Sequence, residues 1–149
     1  MLSILLYCPS ATVLVPTQVQ TDLGLYLERG PVESAPLEDR SSVLSILQKV
    51  WSRGIARVPH PTDFPPTGDT PSMKAVRARS WAQFVRDARY WTIEETQDGH
   101  YLIQGWLSPP RKSHFEPNSE DVSRFSQVVG IDNVFERLIS QIQQAAREF

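Results

Sequence analysis

The segment SWAQFVRDARYWTIEETQDGHYLIQGWL, residues 80–107, decides the fold, because its apolar pattern changes from helical to strand-like partway along. Its first part carries apolar side chains at the spacing of one helix face, namely Trp81, Phe84, Val85 and Ala88. Ser80 and Gln83 stand three residues apart, which is the spacing of a capping box at a helix start. The pattern therefore predicts a capped helix that places Trp81 and Phe84 in the core.

The second part of the segment predicts a β-hairpin. The runs YWTIEET (90–96) and HYLIQGWL (100–107) are strand-like and flank Asp98-Gly99. Asp-Gly between two such runs is a strong hairpin signal, because both positions of the tight turn need positive φ angles. A two-residue loop would pair Thr96 with Tyr101, Ile93 with Gln104 and Trp91 with Trp106.

The remaining patterns predict an N-terminal group of strands and three further helices. Strands are expected in SILLYC (3–8), TVLVP (12–16) and LGLYLERG (23–30), the last ending at a Gly30-Pro31 turn. Helices are expected in 39–54, 118–130 and 132–149, with Asp39, Ser41 or Ser42 capping the first and Gly54 ending it. The prediction is an α+β fold with an antiparallel sheet, the Asp98-Gly99 hairpin and about four covering helices.

The chain of 149 residues is expected to form a single domain, residues 1–149, around one main core. The predicted core includes Leu44, Leu47, Val50, Trp51, Trp81, Phe84, Val85, Ile93, Leu138 and Ile139. Residues 59–71, PHPTDFPPTGDTP, hold five prolines. Because proline disrupts helices and central strands, this segment is predicted to be an extended loop.

Composition and charge indicate a globular protein without a membrane span. Hydrophobic residues make up 40% of the chain, and the net charge of −2 gives no reason to expect attraction to nucleic acid or membranes. Cys8 is the single cysteine, so no disulfide can form within the chain. The N-terminal apolar run lacks a preceding Lys or Arg and is interrupted by Pro9, so we expect a cytoplasmic protein.

The side chains that could carry chemistry have simpler structural explanations. His60, His100 and His114 lack the spacing of a metal site, and Cys8 follows a predicted strand as a small apolar residue. Glu94 and Glu95 are adjacent on a strand, where neighbouring side chains point to opposite faces. We therefore predict no catalytic, metal or cofactor site. An enzyme whose site is assembled from distant residues stays an open alternative.

Acidic side chains near predicted loops and element ends form a candidate surface for a basic partner protein. The predicted partner-binding residues are Asp63, Asp69, Glu94, Glu95, Asp98, Glu116, Glu120 and Asp121. Such charges steer association and set specificity. The alternative explanation is that they form a solubilising surface.

A basic and aromatic segment, residues 74–91, offers a second functional hypothesis. It carries Lys74, Arg77, Arg79, Arg86 and Arg89 beside Trp81, Phe84, Tyr90 and Trp91. Stacking rings beside arginines are typical of proteins that bind single-stranded nucleic acid. The helical spacing of Trp81 and Phe84 favours the core instead, which leaves Tyr90 or Trp91 as the candidate stacking ring.

The stretches SSVLSILQKVWSRGIARVPHPTDF (41–64) and KAVRARSWAQFVRDARYWTIEETQDGHYLI (74–103) resemble the immunity proteins of bacterial contact-dependent growth inhibition systems. The block that carries the resemblance is KAVRARSWAQF, residues 74–84, before a β-hairpin. The resemblance implies a protein that binds the C-terminal toxin domain delivered by another cell and blocks it. Such toxins are often nucleases with basic clefts, and the inhibitor contributes no catalytic residue. The C-terminal pair of predicted helices departs from this family pattern.

Overall fold

A computed structural model describes residues 1–63 and 68–148 of the chain. Its strands are β1 (Leu2–Tyr7), β2 (Thr12–Thr21), β3 (Tyr26–Pro36), β4 (Ala56–Val58), β5 (Ala88–Glu95), β6 (His100–Leu107) and β7 (Glu116–Ser126). Its helices are α1 (Arg40–Arg53), α2 (Pro71–Val76), α3 (Trp81–Asp87) and α4 (Ile131–Arg147). The α+β class with a sheet and four helices is confirmed, although the helices are not all those that the sequence predicts.

The seven strands form one sheet in the order β3-β2-β1-β5-β6-β7, with antiparallel pairing along this path. β4 is the exception, since it pairs in parallel with the second half of β2. The N-terminal strand β1 lies near the middle of the sheet and pairs with β5 from Leu2↔Ile93 to Tyr7↔Ala88. The hairpin segment is therefore joined directly to the N-terminal strands.

The sheet separates two hydrophobic cores, because side chains alternate between its faces along each strand. Ile4 and Leu6 of β1 belong to the larger core, which includes Val43 and Leu47 of α1 and five residues of α4. Leu5 and Tyr7 face the other side and pack in a smaller core that includes Met73, Ala78, Phe84 and Ala88. The helices α2 and α3 therefore cover the sheet face opposite α1 and α4.

The predicted helix boundaries of α1 and the start of α3 are confirmed by capping contacts. Asp39 accepts a hydrogen bond from the Ser42 backbone N–H at 3.2 Å, and Gly54 ends α1 with φ at 66°. Ser80 Oγ accepts from the Gln83 backbone N–H at 3.1 Å. The return contact differs from a full capping box, because Gln83 Oε1 accepts from the N–H of Arg79 instead of Ser80.

The hairpin forms where predicted, but its register differs by one residue. Glu95 pairs with Tyr101, Ile93 with Ile103 and Trp91 with Gly105. The loop therefore holds three residues, 97–99, and Gly99 takes the left-handed conformation with φ at 80°. A three-residue loop with a left-handed last residue is the next most common hairpin type after the two-residue turn. This register places Ile93 opposite Ile103, and both side chains are buried.

The helix predicted over 118–130 is wrong, because these residues belong to the edge strand β7 and a short 3-10 turn at Gln127–Val129. Val122, Phe125 and Val129 have helical spacing, but three apolar residues are too few to define a buried helix face. Pairing with β6, from His100↔Ser126 to Leu107↔Glu116, provides the backbone hydrogen bonds of the segment instead. Val122 is exposed, and the strand carries many charged and polar side chains, which is typical of a protected sheet edge.

Several other boundaries differ from the predicted ones. The third strand continues past Gly30-Pro31, which form a bulge opposite Pro16 and Thr17. The sequence reasoning missed β4 and also α2, which begins at Pro71 with Thr70 as its cap. Residues 64–67 of the predicted loop 59–71, and Phe149 at the end of the predicted C-terminal helix, lie outside the described residues.

Most of the predicted core residues are buried, with Trp81 as the clear exception. Leu47, Val50, Phe84, Val85, Ile93, Leu138 and Ile139 are buried. Leu44 and Trp51 are half-buried at the margin of the larger core. Trp81 keeps 39% of its surface exposed, because its ring lies across Phe84 and Phe115 at the rim of the smaller core.

Replacing Gly105 with alanine is expected to lower the free energy of unfolding by about 1–3 kcal/mol through overpacking. Gly105 lies at a register shift between β6 and β7, where a Cβ atom would stand 1.8 Å from Asp121 Oδ2 and 2.8 Å from Asp121 Cβ. Urea denaturation measures the loss. Adding Asp121→Gly to Gly105→Ala should recover part of it, and a lack of recovery would contradict the steric cause.

Candidate binding site

Aromatic side chains enclose a pocket of about 320 Å³ on the sheet face that carries α2 and α3. The lining residues are Ser3, Leu5, Gln18, Glu28, Trp81, Phe84, Tyr90, Trp106 and Phe115. Trp81 and Phe84 come from α3, Tyr90 and Trp106 from neighbouring strands, and Phe115 from the β6–β7 connection. The capped start of α3 and the register of β5 and β6 therefore bring distant aromatic residues together.

The rings of the pocket contact one another at defined angles. Trp81 stacks on Phe84 with ring centroids 5.7 Å apart, and it meets Phe115 edge-on at 6.4 Å. Tyr90 lies 5.1 Å from Phe115 and 5.4 Å from Trp106 between ring centroids. The Trp81 indole N–H donates a hydrogen bond of 2.6 Å to the carbonyl oxygen of Ser113. This bond ties the β6–β7 connection to α3 and fixes one wall of the pocket.

Polar groups of the pocket come from β1, β2, β3 and β5. Ser3 Oγ lies 3.0 Å from the Tyr90 hydroxyl, and Gln18 Nε2 donates to Ser3 Oγ at 2.5 Å. Gln18 Oε1 is buried and accepts no hydrogen bond from any residue in the described ranges. The polar part of the pocket therefore contains an acceptor that no described residue satisfies.

Among the described residues, Glu28 is the one carboxylate that lines this pocket, and it is not among the residues predicted from the sequence. Its Oε1 atom accepts a hydrogen bond of 2.5 Å from the Ser72 backbone N–H at the start of α2. Burial raises the pKa of the Glu28 carboxyl, and the hydrogen bond from Ser72 offsets part of that rise. Burial also raises the pKa of the Tyr90 hydroxyl; its hydrogen bond with Ser3 opposes the rise and the negative charge of Glu28 adds to it. The sequence feature that could have identified Glu28 is its position as the only acid in the apolar run LGLYLERG.

Glu28 also lines a second concavity of about 440 Å³, which we call the acidic groove. Asp63 and Asp69 line it too, together with Tyr26, Leu27, Arg29, Pro61, Gly68, Thr70 and Pro71. Two of the eight predicted partner-binding residues therefore lie in one groove, and Glu28 connects that groove with the aromatic pocket.

The other predicted acidic residues are distributed over separate parts of the surface. Glu94 and Glu95 line a different concavity of about 380 Å³ that also includes Trp51. Asp98 accepts from Arg124 at 3.0 Å beside the hairpin loop. Glu116 lies 2.7 Å from Lys112 Nζ and 2.9 Å from His114 Nε2.

Glu120 and Asp121 take different positions on β7. Glu120 is exposed, whereas Asp121 is half-buried against the Gly105 bulge. Basic side chains contact Asp98 and Glu116, and Asp121 lies at the Gly105 bulge, while Asp63 and Asp69 share the lining of one groove with Glu28. Together with Glu28, the groove pair places three carboxylates and one cation, Arg29, among the described residues of the same lining.

A basic groove of about 730 Å³ lies next to the aromatic pocket, with Trp106 in the lining of both. Its cationic side chains are Arg86, Arg89, Arg111 and Lys112. Arg86 and Arg89 belong to the predicted basic segment, whereas Arg111 and Lys112 come from the β6–β7 connection. The predicted stacking role of Trp91 is wrong, because only 4% of its surface is exposed, and Tyr90 faces the aromatic pocket.

Glu28 is expected to make the protein less stable as the pH rises. Its pKa in the folded state is raised, so the folded protein binds more protons than the unfolded chain just above the ordinary glutamate pKa. The free energy of unfolding then falls as the pH rises through the raised pKa. The stability of Glu28→Gln relative to wild type should therefore increase between about pH 4 and pH 7, as measured by urea denaturation.

Glu33 provides the control of opposite sign. Hydrogen bonds from Lys49 and Arg53 lower the pKa of the Glu33 carboxyl, so its contribution to stability is present at neutral pH and is lost in acid. Glu33→Gln should therefore lose stability relative to wild type as the pH rises from the lowered pKa of Glu33 to the ordinary glutamate pKa, in a more acidic range than the one in which Glu28→Gln gains stability. Equal pH dependence of the two variants would contradict the environment described for Glu28.

Within the described ranges, no group of three His, Cys, Asp or Glu side chains is arranged to hold a metal ion. No described helix combines the length and the apolar character that a membrane crossing requires. No family model matches this chain, and no curated protein or solved structure shows significant similarity to it.

Proposed function

We propose that the protein is a cytoplasmic immunity protein that binds a cognate toxin domain, a nuclease, and neutralises it by stoichiometric occlusion. The observation that carries the proposal is the aromatic pocket, which shares Glu28 with the acidic groove. Aromatic side chains in a pocket are typical anchors of protein interfaces, and the surrounding charge directs a partner of opposite sign. The resemblance of residues 41–64 and 74–103 to immunity proteins supports the same function.

Occlusion requires a large contact surface and no chemical step. A stable protein interface buries about 1,600 Å² in total, so the pocket and groove would form the centre of a wider contact. Carboxylates placed over a basic cleft would compete with the phosphates that a nuclease binds there. In this proposal the chain contributes no catalytic residue and requires no cofactor.

Co-expression tests the proposed function directly. The C-terminal domain encoded by the reading frame immediately upstream is expressed with and without this protein, and growth and co-purification are measured. We expect growth arrest by that domain alone, and rescue together with a stable complex when this protein is present. Toxicity without rescue or binding, or the absence of toxicity, would contradict the proposal for this pair.

Charge reversal at the acidic groove is expected to slow association with the toxin. The double variant Asp63→Lys, Asp69→Lys should lower the association rate constant by about tenfold at low salt, with a smaller difference at high salt. Stopped-flow association at several salt concentrations measures the effect. The matched control is Asp98→Lys, Glu116→Lys, which changes the net charge equally at two carboxylates with basic neighbours. Equal rates for the two double variants would contradict a groove-directed encounter.

A second candidate function, binding of single-stranded nucleic acid, is favoured by the basic groove beside Trp106. Its cations would contact phosphates while the ring stacks on a base. The affinity for an oligonucleotide should then fall steeply with salt, with a log–log slope of about −0.7 per neutralised phosphate. Arg111→Ala combined with Lys112→Ala should reduce that slope. A salt-independent or undetectable interaction would contradict this function.

A further inference from the structure

We infer that the aromatic pocket receives the side chain of an arginine presented by the partner protein, with its guanidinium group between the rings and the Glu28 carboxylate. The inference rests on the proposed function in one respect, namely that the partner is a protein. It adds the chemical group that the pocket recognises. Three properties of the pocket favour this occupant, namely its charge, its unsatisfied acceptor and its ring geometry.

The charge of the pocket favours a cation. Glu28 is a half-buried carboxylate, and no cationic side chain within the described ranges lies at ion-pair distance from it. Within the described residues Ser72 is its hydrogen-bond partner, through the backbone N–H at 2.5 Å. A carboxylate that loses water without gaining a cation is costly, so a positively charged occupant would restore the lost interaction.

The hydrogen-bonding groups of the pocket favour an occupant with several N–H donors. The Gln18 Oε1 atom is buried without a partner in the described structure, and the Glu28 carboxylate retains acceptor capacity beyond its contact with Ser72. One of the two N–H groups of the Gln18 amide is already used at Ser3. The pocket therefore offers unsatisfied acceptors, whereas an anion or a carbonyl group would need donors.

The rings favour a flat cation. Trp81, Trp106, Tyr90 and Phe115 supply aromatic faces and edges around one space, with neighbouring centroids 5.1–6.4 Å apart. A cation over such a face is attracted by the ring quadrupole within about 6 Å of the centroid. The guanidinium group of arginine is planar, stacks on aromatic faces and directs five donors outward, whereas the lysine ammonium is a compact, strongly hydrated charge. Arginine can therefore stack on the rings and donate hydrogen bonds to the separate acceptors at the same time.

The four tryptophans provide a built-in readout. Trp81 and Trp106 line the pocket, and their indole N–H groups donate to Ser113 and Thr92. Trp51 and Trp91 belong to the larger core on the opposite side of the sheet. Nα-acetyl-arginine methylamide is titrated into the full protein, and the indole N–H signals are followed by NMR. We expect saturable shifts of the Trp81 and Trp106 signals, with those of Trp51 and Trp91 unchanged.

Two comparisons test whether charge recognition causes the shifts. Nα-acetyl-citrulline methylamide has nearly the same shape without the charge, and it should bind about ten- to a hundredfold more weakly, the range for a charge-assisted hydrogen bond. Glu28→Gln should weaken arginine binding by a similar factor while keeping an acceptor for the Ser72 N–H. Glu38→Gln changes an exposed carboxylate outside the pocket and should have no effect. The lysine analogue should bind more weakly than the arginine analogue.

The possible outcomes separate this inference from the proposed function. Equal binding of arginine and citrulline, unchanged binding by a folded Glu28→Gln variant, or no shift at Trp81 and Trp106 would overturn the arginine site. If the toxin is neutralised in any of those cases, the proposed function stands without this site. Arginine binding that depends on Glu28, with no rescue in the co-expression test, would keep the site and remove the proposed function.

Discussion

Phe84→Ala is expected to lower the free energy of unfolding by about 3–5 kcal/mol, because it leaves a cavity in the smaller core. Only 1% of the Phe84 surface is exposed, and its ring stacks on Tyr7 with centroids 5.9 Å apart. The Trp81 ring also stacks on Phe84, with centroids 5.7 Å apart. Few side chains cover this face of the sheet, so few neighbours of Phe84 can move into the cavity that its removal leaves.

Urea denaturation followed by circular dichroism measures this loss. Val128→Ala is the control, because Val128 is 94% exposed and its truncation should change stability by less than about 0.5 kcal/mol. A Phe84→Ala midpoint equal to that of wild type would show that α3 is not a required part of the core. The variant should also lose arginine binding at temperatures where it remains folded, since Phe84 lines the pocket.

Phe135→Ala is expected to have an effect of the same size, about 3–5 kcal/mol, on the opposite side of the sheet. Phe135 is fully buried on α4, and its ring meets Trp51 of α1 edge-on with centroids 5.9 Å apart. Removing the ring therefore takes away a contact that joins the two helices over the larger core. Urea denaturation again measures the change, here with the Trp51 indole signal as a local probe.

The two phenylalanine variants also differ in what they do to the pocket. Phe135→Ala should leave the Trp81 and Trp106 signals and arginine binding unchanged, because the sheet separates this core from the pocket. The double variant should lose the sum of the two single losses to within about 0.5 kcal/mol. A large coupling energy would contradict the separation of the cores.

Local sequence patterns predict the parts of the fold that depend on contacts between near neighbours. The caps at Asp39, Gly54 and Ser80 each join residues a few positions apart, and the Asp98-Gly99 turn is also local. The hairpin register was missed by one residue because loop length depends on which side chains the two strands bury together. The opposition of Ile93 and Ile103 decides it, and this requires knowledge of the core.

The failure at β7 has a different cause. Residues 118–130 contain few apolar side chains, so a helical and an extended pattern were both compatible with them. Their structure depends on β6, whose open edge accepts another strand. Tertiary pairing outweighs weak local preference in such a segment.

The candidate site was predictable only in part. The sequence predicts Asp63 and Asp69 as partner-binding residues from their position in a proline-rich loop, and the structure places both in the lining of one groove. Glu28 was missed, because its importance comes from side chains that the sheet brings together from β1, β2, β5 and β6. Trp81 was assigned to the core because helical spacing reports which face of α3 is apolar. Helical spacing does not report that the β6–β7 connection covers Trp81 only in part and leaves its side chain partly exposed.

The position of Glu28 has a consequence for directed evolution. A library screened only for heat resistance would enrich replacements of this carboxylate, because a neutral side chain removes a cost that the folded protein carries at neutral pH. The enriched clones would fold well, yet would have lost the charge that we assign to partner recognition. Any campaign to obtain a robust form of this protein should therefore hold position 28 constant, or alternate rounds of heating with selection for the partner.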